Sequence, residues 1–391
     1  MPPSGLERCF DLDDLARLAR RRMPAPMWHY LAGAADDERT LGRNTTAFAD
    51  FDLVPRYLVD VAAIDTSVTV LGQRLELPIM IAPTGMSRLF HADGERAVAR
   101  AARRAGTMYS LSTLGTTSIE DVAAVNDGPK CFQIYVMRER ELTAELMDRC
   151  RAAGYSALCL TIDVPVAGNR ERDLRTGMTL PPRLRLMSLA DIALHPRWCL
   201  DYLTRPPLTL ANVAHRIAEG TRTVSSVIQY IGSQFDPSVT WRDAAWMIQR
   251  WSGPFAIKGI LSVDDARRAV EIGASAIVVS NHGGRQLDGA PAPFDALEAI
   301  VDAVGDRVEV ILDGGIRRGT HVLKALALGA RACMIGRGYL YGLGAGGEAG
   351  VDRALAILRQ EIERDLRLVG CPRAADLDRR FLRHAGVGPP A

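Results

Sequence analysis

Short apolar runs recur along the chain. After each comes a polar turn and then a stretch whose apolar residues have helical spacing. The runs are LPIMIAP from Leu77, TMYSLS from Thr107, KCFQIYV from Lys130, ALCLTID from Ala157, FAIKGI from Phe255, SAIVVSN from Ser275, VEVILDG from Val308 and ACMIGR from Ala332. This alternation is the mark of repeated strand and helix units around a parallel sheet. Between the runs lie GERAVARAARRAG, ELTAELMDRCRAAG, SVDDARRAVEIG and THVLKALALGA, each closed by a glycine, the usual helix stop. Eight such units, with no Gly-x-Gly-x-x-Gly after the first strand, predict an α/β fold. It is a closed (β/α)8 TIM barrel and not an open dinucleotide-binding sheet.

One interval breaks the rhythm. From Val164 to about Ser238 no strand is evident, and LPPRLRLM, HPRWCLDYLTRPPL and a run of Ser, Gln and Thr take its place. A long insertion after the fourth strand is the simplest account, and such a loop on a compact barrel serves as a lid or an interaction surface. Residues 11–51 read as capping helices, and VDRALAILRQEIERDLRLVG reads as a last helix covering the outside. The expectation is a single domain over residues 1–391, with the barrel at about 77–370 and the insertion at about 164–238.

Composition narrows the partners. Of 391 residues 48% are hydrophobic, enough for a full core, and 48 basic against 46 acidic side chains leave a formal charge of +2. A charge that small makes no strong field to gather nucleic acid or an acidic membrane face. The cysteines (Cys9, Cys131, Cys150, Cys159, Cys199, Cys333 and Cys371) are odd in number and scattered, without the paired spacing of a zinc site. They read as buried thiols of a reducing cytoplasm, and no metal is expected. Charges run through the first residues, and no stretch approaches the roughly eighteen apolar residues of a membrane span.

In a barrel of this kind the working face is the rim at the C-terminal strand ends. The polar residues where apolar runs stop are Thr84, Ser112, Gln133, Tyr135, Thr161, Asp163, Lys258, Ser280, His282, Asp313, Gly336 and Arg337, so every strand contributes. In SNHGGRQLDG a base and an anchor arrive together. His282 stands just past a strand, Gly283 and Gly284 let the backbone turn closely round a ligand, and Arg285 offers a planar fork for a carboxylate. After the seventh and eighth runs, Gly314 and Gly315 with Arg317, then Gly336 with Arg337, set backbone N–H groups beside guanidinium groups. Barrels bind phosphate between those two loops. Lys258 ends a strand with apolar neighbours, so its charge needs a partner, either a core carboxylate or an anionic ligand.

Together with IAPTG, FQIYV and TIDVPVAGNRERDLR, these stretches resemble the FMN-dependent L-2-hydroxy-acid oxidase and dehydrogenase family over nearly the whole chain, nearest its mandelate and lactate dehydrogenase branches. The resemblance implies FMN as cofactor and oxidation of an (S)-2-hydroxy acid to the 2-oxo acid. It implies His282 as the base, by hydride transfer or through a carbanion, with Asp163 stabilising its protonated form. Tyr30, Arg170 and Arg285 would hold the substrate carboxylate, and Tyr135 would donate to the substrate oxygen. Lys258 would face N1 and O2 of reduced flavin. Pro83, Thr84, Gly85, Ser112, Gln133, Thr161 and Ser280 would surround the isoalloxazine, and Asp313, Gly314, Gly315, Arg317, Gly336 and Arg337 the rest of the cofactor.

Two positions depart from the oxidases of the family. Gly85 replaces a frequent alanine and leaves room beside flavin N5, and Leu114 stands where glycolate oxidase has tryptophan, which points to a substrate side chain larger than glycolate's. In the insertion, Trp198, Leu200, Tyr202 and Leu203 among Arg183, Arg185 and Arg197 make a surface that could lie on a bilayer, pack as a lid or line an oligomer contact. The expected partners are a small 2-hydroxy acid, an acceptor that is oxygen, a quinone or another redox carrier, and further copies in a homo-oligomer, as a homotetramer. The expected location is the cytoplasm, or the inner face of the cell membrane. Two other readings compete: a flavin barrel that reduces or isomerises its substrate, and a phosphate-binding barrel without flavin.

Overall fold

Three helices open the chain: α1 (Leu12–Arg22), α2 (Ala25–Ala32) and α3 (Arg39–Thr46). The computed structural model describes residues 5–179, 182–216 and 224–386. Helix α1 starts where the Asp11 carboxylate accepts the N–H of Asp14 at 2.8 Å. Acids fill its first turn and Arg20, Arg21 and Arg22 its last, in keeping with the helix dipole. Next come β1 (Phe51–Leu53) and a hairpin of β2 (Val68–Val70) and β3 (Gln73–Leu75), turning at Leu71 and Gly72, both left-handed.

Strand and helix then alternate as the sequence predicts: β4 (Ile79–Ile81), α4 (Gly94–Arg104), β5 (Tyr109–Ser112), α5 (Ile119–Val125), β6 (Lys130–Ile134), α6 (Arg140–Ala152) and β7 (Ala157–Thr161). The insertion carries α7 (Glu171–Thr176), α8 (Leu186–Ala193), α9 (Pro196–Thr204) and α10 (Val224–Gln234), and no strand among its described residues. Its residues 180–181, the start of LPPRLRLM, and 217–223 lie outside the described residues. The barrel resumes with α11 (Trp241–Trp251), β8 (Phe255–Ile260), α12 (Val263–Glu271), β9 (Ala276–Val279), α13 (Pro293–Val304), β10 (Glu309–Asp313), α14 (Gly319–Ala327), β11 (Ala332–Ile335) and α15 (Arg337–Val369). A short β12 (Leu382–His384) ends the described chain, antiparallel to β1.

Strands β4 to β11 pair in parallel and close into a TIM barrel, β11 bonding back to β4. The pleat sends Met80, Cys131, Cys159, Ala256, Val278, Ile311 and Met334 into the barrel, while Ile79, Ile81, Phe132, Leu158 and Ile277 pack outward against the helices. The β2–β3 hairpin closes the N-terminal end: Val70, Leu71 and Leu75 join the interior cluster, and the Leu71 N–H donates to Glu309 at 2.7 Å.

Two features differ from the sequence reading. The strands β1, β2, β3 and β12 are three residues each, too short for a hydrophobic period to declare them. The last helix begins at Arg337 and not near Val351, with a break at Gly346 and Gly347. Its glycines weaken the helical signal but permit close crossing: a Cβ on Gly342 would meet the Gly350 carbonyl oxygen at 2.3 Å.

Candidate active site

A cavity of about 610 Å³ opens at the C-terminal mouth of the barrel. It is lined by Tyr30, Pro83, Thr84, Gly85, Ser112, Tyr135, Arg170, Lys258, His282, Arg285, Asp313, Gly314, Gly315, Arg317, Gly336 and Arg337. Of the other expected residues, Gln133, Asp163 and Ser280 bond to side chains of this lining, and Thr161 lines an adjacent cavity with Tyr135.

His282 sits in a left-handed turn, φ 57°, followed by Gly283 at 65° and Gly284 at 76°. The glycines answer to packing as well as to any ligand: a Cβ on Gly284 would meet the Leu41 backbone nitrogen at 2.8 Å, and one on Gly283 would meet Arg337 at 2.7 Å. The His282 N–H donates to the Ser280 hydroxyl at 3.1 Å, and Asn281 accepts from the Gly284 N–H at 3.1 Å. His282 Nδ1 lies 2.9 Å from Asp163 Oδ1. Burial alone would push the Asp163 carboxyl up; the charge and hydrogen bond of His282, with the charge of Lys258, outweigh it and hold the carboxyl below its usual range. The aspartate therefore remains an anion that fixes the imidazole and can balance a second ring proton.

Two guanidinium groups line the same cavity. Arg285 is half-buried; one of its nitrogens donates to the carbonyls of Tyr30 at 2.7 Å and Gly33 at 3.0 Å, and its guanidinium carbon lies 5.0 Å from the Tyr30 ring centre. Burial first, and then repulsion by Arg170, bring its pKa down to about 9. Among the described residues Arg170 makes only long contacts, at 3.4 Å, to the Arg285 carbonyl and Gln286. Two neighbouring cations that repel each other suit the binding of an anion between them. Tyr135 lies against Phe235 edge-on, and burial, with the charge of Asp163, raises its phenol so that it stays a protonated donor.

Below the rim, Lys258 Nζ is 2.7 Å from Asp313 Oδ2 and donates to Ser280 Oγ at 2.8 Å, while Ser280 donates to Asp313 at 2.7 Å. The core-carboxylate partner for Lys258 is thus present. Burial works against its proton, but Asp313 and Asp163 more than restore it, and the ammonium stays charged.

Gly314 and Gly315 are both left-handed, and a Cβ on Gly315 would strike the Asn44 carbonyl oxygen at 1.8 Å. Gly336 precedes the first turn of α15, whose N-terminus offers amide donors and a positive dipole end. The two arginines here differ. Arg337 is committed to the carbonyls of Leu31, Gly33 and Gly283, whereas among the described residues the Arg317 side chain bonds only its neighbour's carbonyl and lies over Tyr341. Arg317 is the freer of the two to meet an anion.

Fit to FMN is tested by atoms the protein leaves without partners. Ser112 donates to Gln133 Oε1 at 2.9 Å, but Gln133 Nε2 and Thr161 Oγ1 are buried with none. Each such group costs about 1–3 kcal/mol unless a ligand satisfies it. Orphaned polar groups on β6 and β7, a buried ammonium and a helix N-terminus fit a planar heterocycle with a phosphate tail. Gly85 adds a constraint, since a Cβ there would stand 3.0 Å from Leu114 Cβ, coupling the two positions.

The sequence reading missed Asn44. It exchanges two amide hydrogen bonds with Asn281, at 2.8 and 2.7 Å, both side chains buried. It also missed Gln286, which ties the Asp163 and Val166 carbonyls, and Phe90 and Phe235, which line the apolar side of the cavity. No motif spacing links Asn44 to the rim, although Asn281 and Gln286 stand inside SNHGGRQ.

The family described as FMN-dependent dehydrogenase matches residues 19–384. An L-lactate oxidase from a Nostoc species is 45% identical over 95% of this chain and 97% of its own. Glycolate oxidase from Spinacia oleracea is 40% identical over 97% of each. Among solved structures, the monotopic membrane protein (S)-mandelate dehydrogenase superposes with a TM-score of 0.92 at 38% identity, covering 96% of this chain and 99% of that one. With FMN the cofactor that its barrel mouth fits, the chain belongs to the FMN-dependent dehydrogenase family.

Proposed function

We propose that the whole chain, acting as one catalytic domain, oxidises an (S)-2-hydroxy acid with an apolar, aryl-sized side chain to the 2-oxo acid. The observation that carries this is that His282, paired with Asp163, lines one cavity with the half-buried, mutually repelling Arg285 and Arg170. Relatives named for L-lactate, glycolate and (S)-mandelate support the substrate class. Arg285 and Arg170, with the Tyr30 hydroxyl, hold the carboxylate and so orient the carbon beside it. His282 takes a proton from the substrate and Asp163 balances the charge that results. Tyr135 donates to the substrate oxygen. Phe90, Leu114, Val166 and Phe235 receive the side chain and exclude water.

FMN, when bound, accepts the two electrons. Ser112, Gln133, Thr161 and Ser280, with the backbone of Pro83, Thr84 and Gly85, would hold its ring, and Lys258 would meet the negative charge of its reduced form. Asp313, Gly314, Gly315, Arg317, Gly336 and Arg337 would hold the ribityl phosphate side. The electron acceptor would be oxygen, a quinone or another redox carrier.

In the decisive experiment, His282→Gln is mixed anaerobically with glycolate, L-lactate, (S)-mandelate and 4-hydroxymandelate. The variant retains FMN and its visible absorbance persists, while the parent bleaches fastest with the aryl acids. Rapid bleaching of the variant removes His282 as the base.

A peripheral membrane contact accompanies this reading, at the inner face of the cell membrane. Leu186 and Met187 on α8 and Leu200 and Leu203 on α9 are exposed, and among the described residues no helix is long and apolar enough to cross a membrane. A homo-oligomer is also proposed, supported by the exposed Tyr57 and Leu58 between β1 and β2; light scattering on the purified chain measures it.

A further inference from the structure

A second cavity, of about 460 Å³, lies outside the reaction site between the end of α1, the start of α9 and the break in α15. Phe90 is the one residue it shares with the active-site cavity. Its walls carry Arg21, Arg22, Arg88 and Arg197 against a single acid, Asp201. Arg88 is occupied by the carbonyls of Ala92, Pro206 and Pro207, and Arg22 donates to that of Ala345. Arg21 and Arg197 have no carboxylate partner among the described residues. Burial, and next the facing charge of Arg197, lower the pKa of Arg22, so like charges confront one another here.

The cavity is also braced. Trp198 and Tyr202 stack at 5.2 Å and 10°, and the Trp198 indole donates to the Leu89 carbonyl at 3.0 Å, fixing α9 to the loop after β4. Leu194, in its wall, is 78% exposed, and elsewhere on α8 and α9 Leu186 and Met187 are each 85% and Leu203 79% exposed.

We propose that this cavity binds the headgroup of an anionic phospholipid, its phosphate held by Arg21, Arg22 and Arg197 while the leucines of α8 and α9 enter the acyl layer. This rests on the membrane contact proposed above and gives that contact one saturable site. A free phosphate would answer the arginines but leave the leucines in water; a zwitterionic headgroup would bring its own cation against them. A phosphate ester with acyl chains and net negative charge meets both. The formal charge of +2 on the whole chain is too small for diffuse attraction to do the same.

The holoenzyme is sedimented with vesicles of phosphatidylcholine, with and without phosphatidylglycerol, and titrated calorimetrically with dihexanoyl phosphatidylglycerol and with inorganic phosphate. Two charge-matched variants are compared, Arg21→Glu/Arg197→Glu in the cavity and Arg183→Glu/Arg185→Glu on the same insertion outside it. The expected result is that binding requires phosphatidylglycerol and that the soluble lipid saturates at one per chain while phosphate binds weakly. The cavity variant loses at least about tenfold in vesicle affinity and the other pair less than about threefold, with the rate of flavin bleaching by substrate unchanged in both. Equal losses in the two pairs overturn the headgroup site while leaving membrane contact standing. No binding of the parent to either vesicle overturns the membrane contact itself, and phosphate binding as tightly as the lipid overturns the lipid assignment.

Discussion

Asn44 belongs to α3, yet it holds the turn that carries His282, and Asn44→Ala tests that role. The change deletes two buried amide hydrogen bonds to Asn281, of 2.8 and 2.7 Å. Asn281 is not orphaned by it, because its Nδ2 still donates to the Pro291 carbonyl at 3.1 Å and its Oδ1 still accepts from the Gly284 N–H. The loss is therefore the net value of two hydrogen bonds, about 2 kcal/mol in all, and not the larger penalty of a stranded group. That much bears on a residue whose left-handed backbone itself costs about 1–2 kcal/mol. If all of it acts on the turn, the rate of anaerobic flavin bleaching falls by roughly 30-fold. The Asn44 backbone carbonyl still packs on Gly315, so FMN stays bound through gel filtration and the substrate KM moves little. Hydrogen exchange at Gly283 and Gly284 accelerates. Bleaching within twofold of the parent, with exchange at those amides unchanged, would refute the reasoning.

Three further outcomes follow from the geometry. Lys258→Met leaves Asp313 buried with only Ser280 as partner and lowers stability by about 3–5 kcal/mol, measured by denaturant unfolding; adding Asp313→Asn recovers most of the loss. Gly85→Ala sets a Cβ 3.0 Å from Leu114 Cβ; it costs about 1 kcal/mol and raises KM for mandelate more than for lactate, and Leu114→Gly in the same chain, which removes that Cβ, restores the KM ratio. The pKa of Arg285 lies near 9, depressed first by burial, and only its charged form holds a carboxylate. Its KM for 2-hydroxy acids is thus flat below about 9 and climbs above it as the proton leaves, whereas the corresponding 2-hydroxy amide shows no such climb when initial rates are followed against pH.

The eight barrel strands were legible because each is a buried apolar run long enough to stand apart from its flanks. Their polar residues were legible for the same reason: Asp313 at the end of such a run, or Lys258, which proves to lie inside β8 and not at its end, has no business in a core unless something polar meets it. What escaped were pairings across sequence. Asn44 and Asn281 are 237 positions apart, and nothing in GRNTTAF marks one amide as the partner of another. Arg337 looked like a free phosphate ligand because its three carbonyl acceptors belong to Leu31, Gly33 and Gly283, backbone atoms with no sequence signature. The start of α15 was hidden by glycines whose purpose, close crossing, exists only once the helix is folded.

The same long-range ties set an order of events. Ala35 donates to the Gly284 carbonyl, Arg285 reaches back to Tyr30 and Gly33, and Arg337 binds Leu31. The opening segment thus has its acceptors and donors in stretches that a ribosome delivers some 250 residues later, as the 252 to 306 positions spanned by these side-chain bonds record. Until the final strand has emerged and the ring has shut, that segment has nowhere to dock and the imidazole has no fixed seat, so a nascent or truncated chain is born without oxidising power.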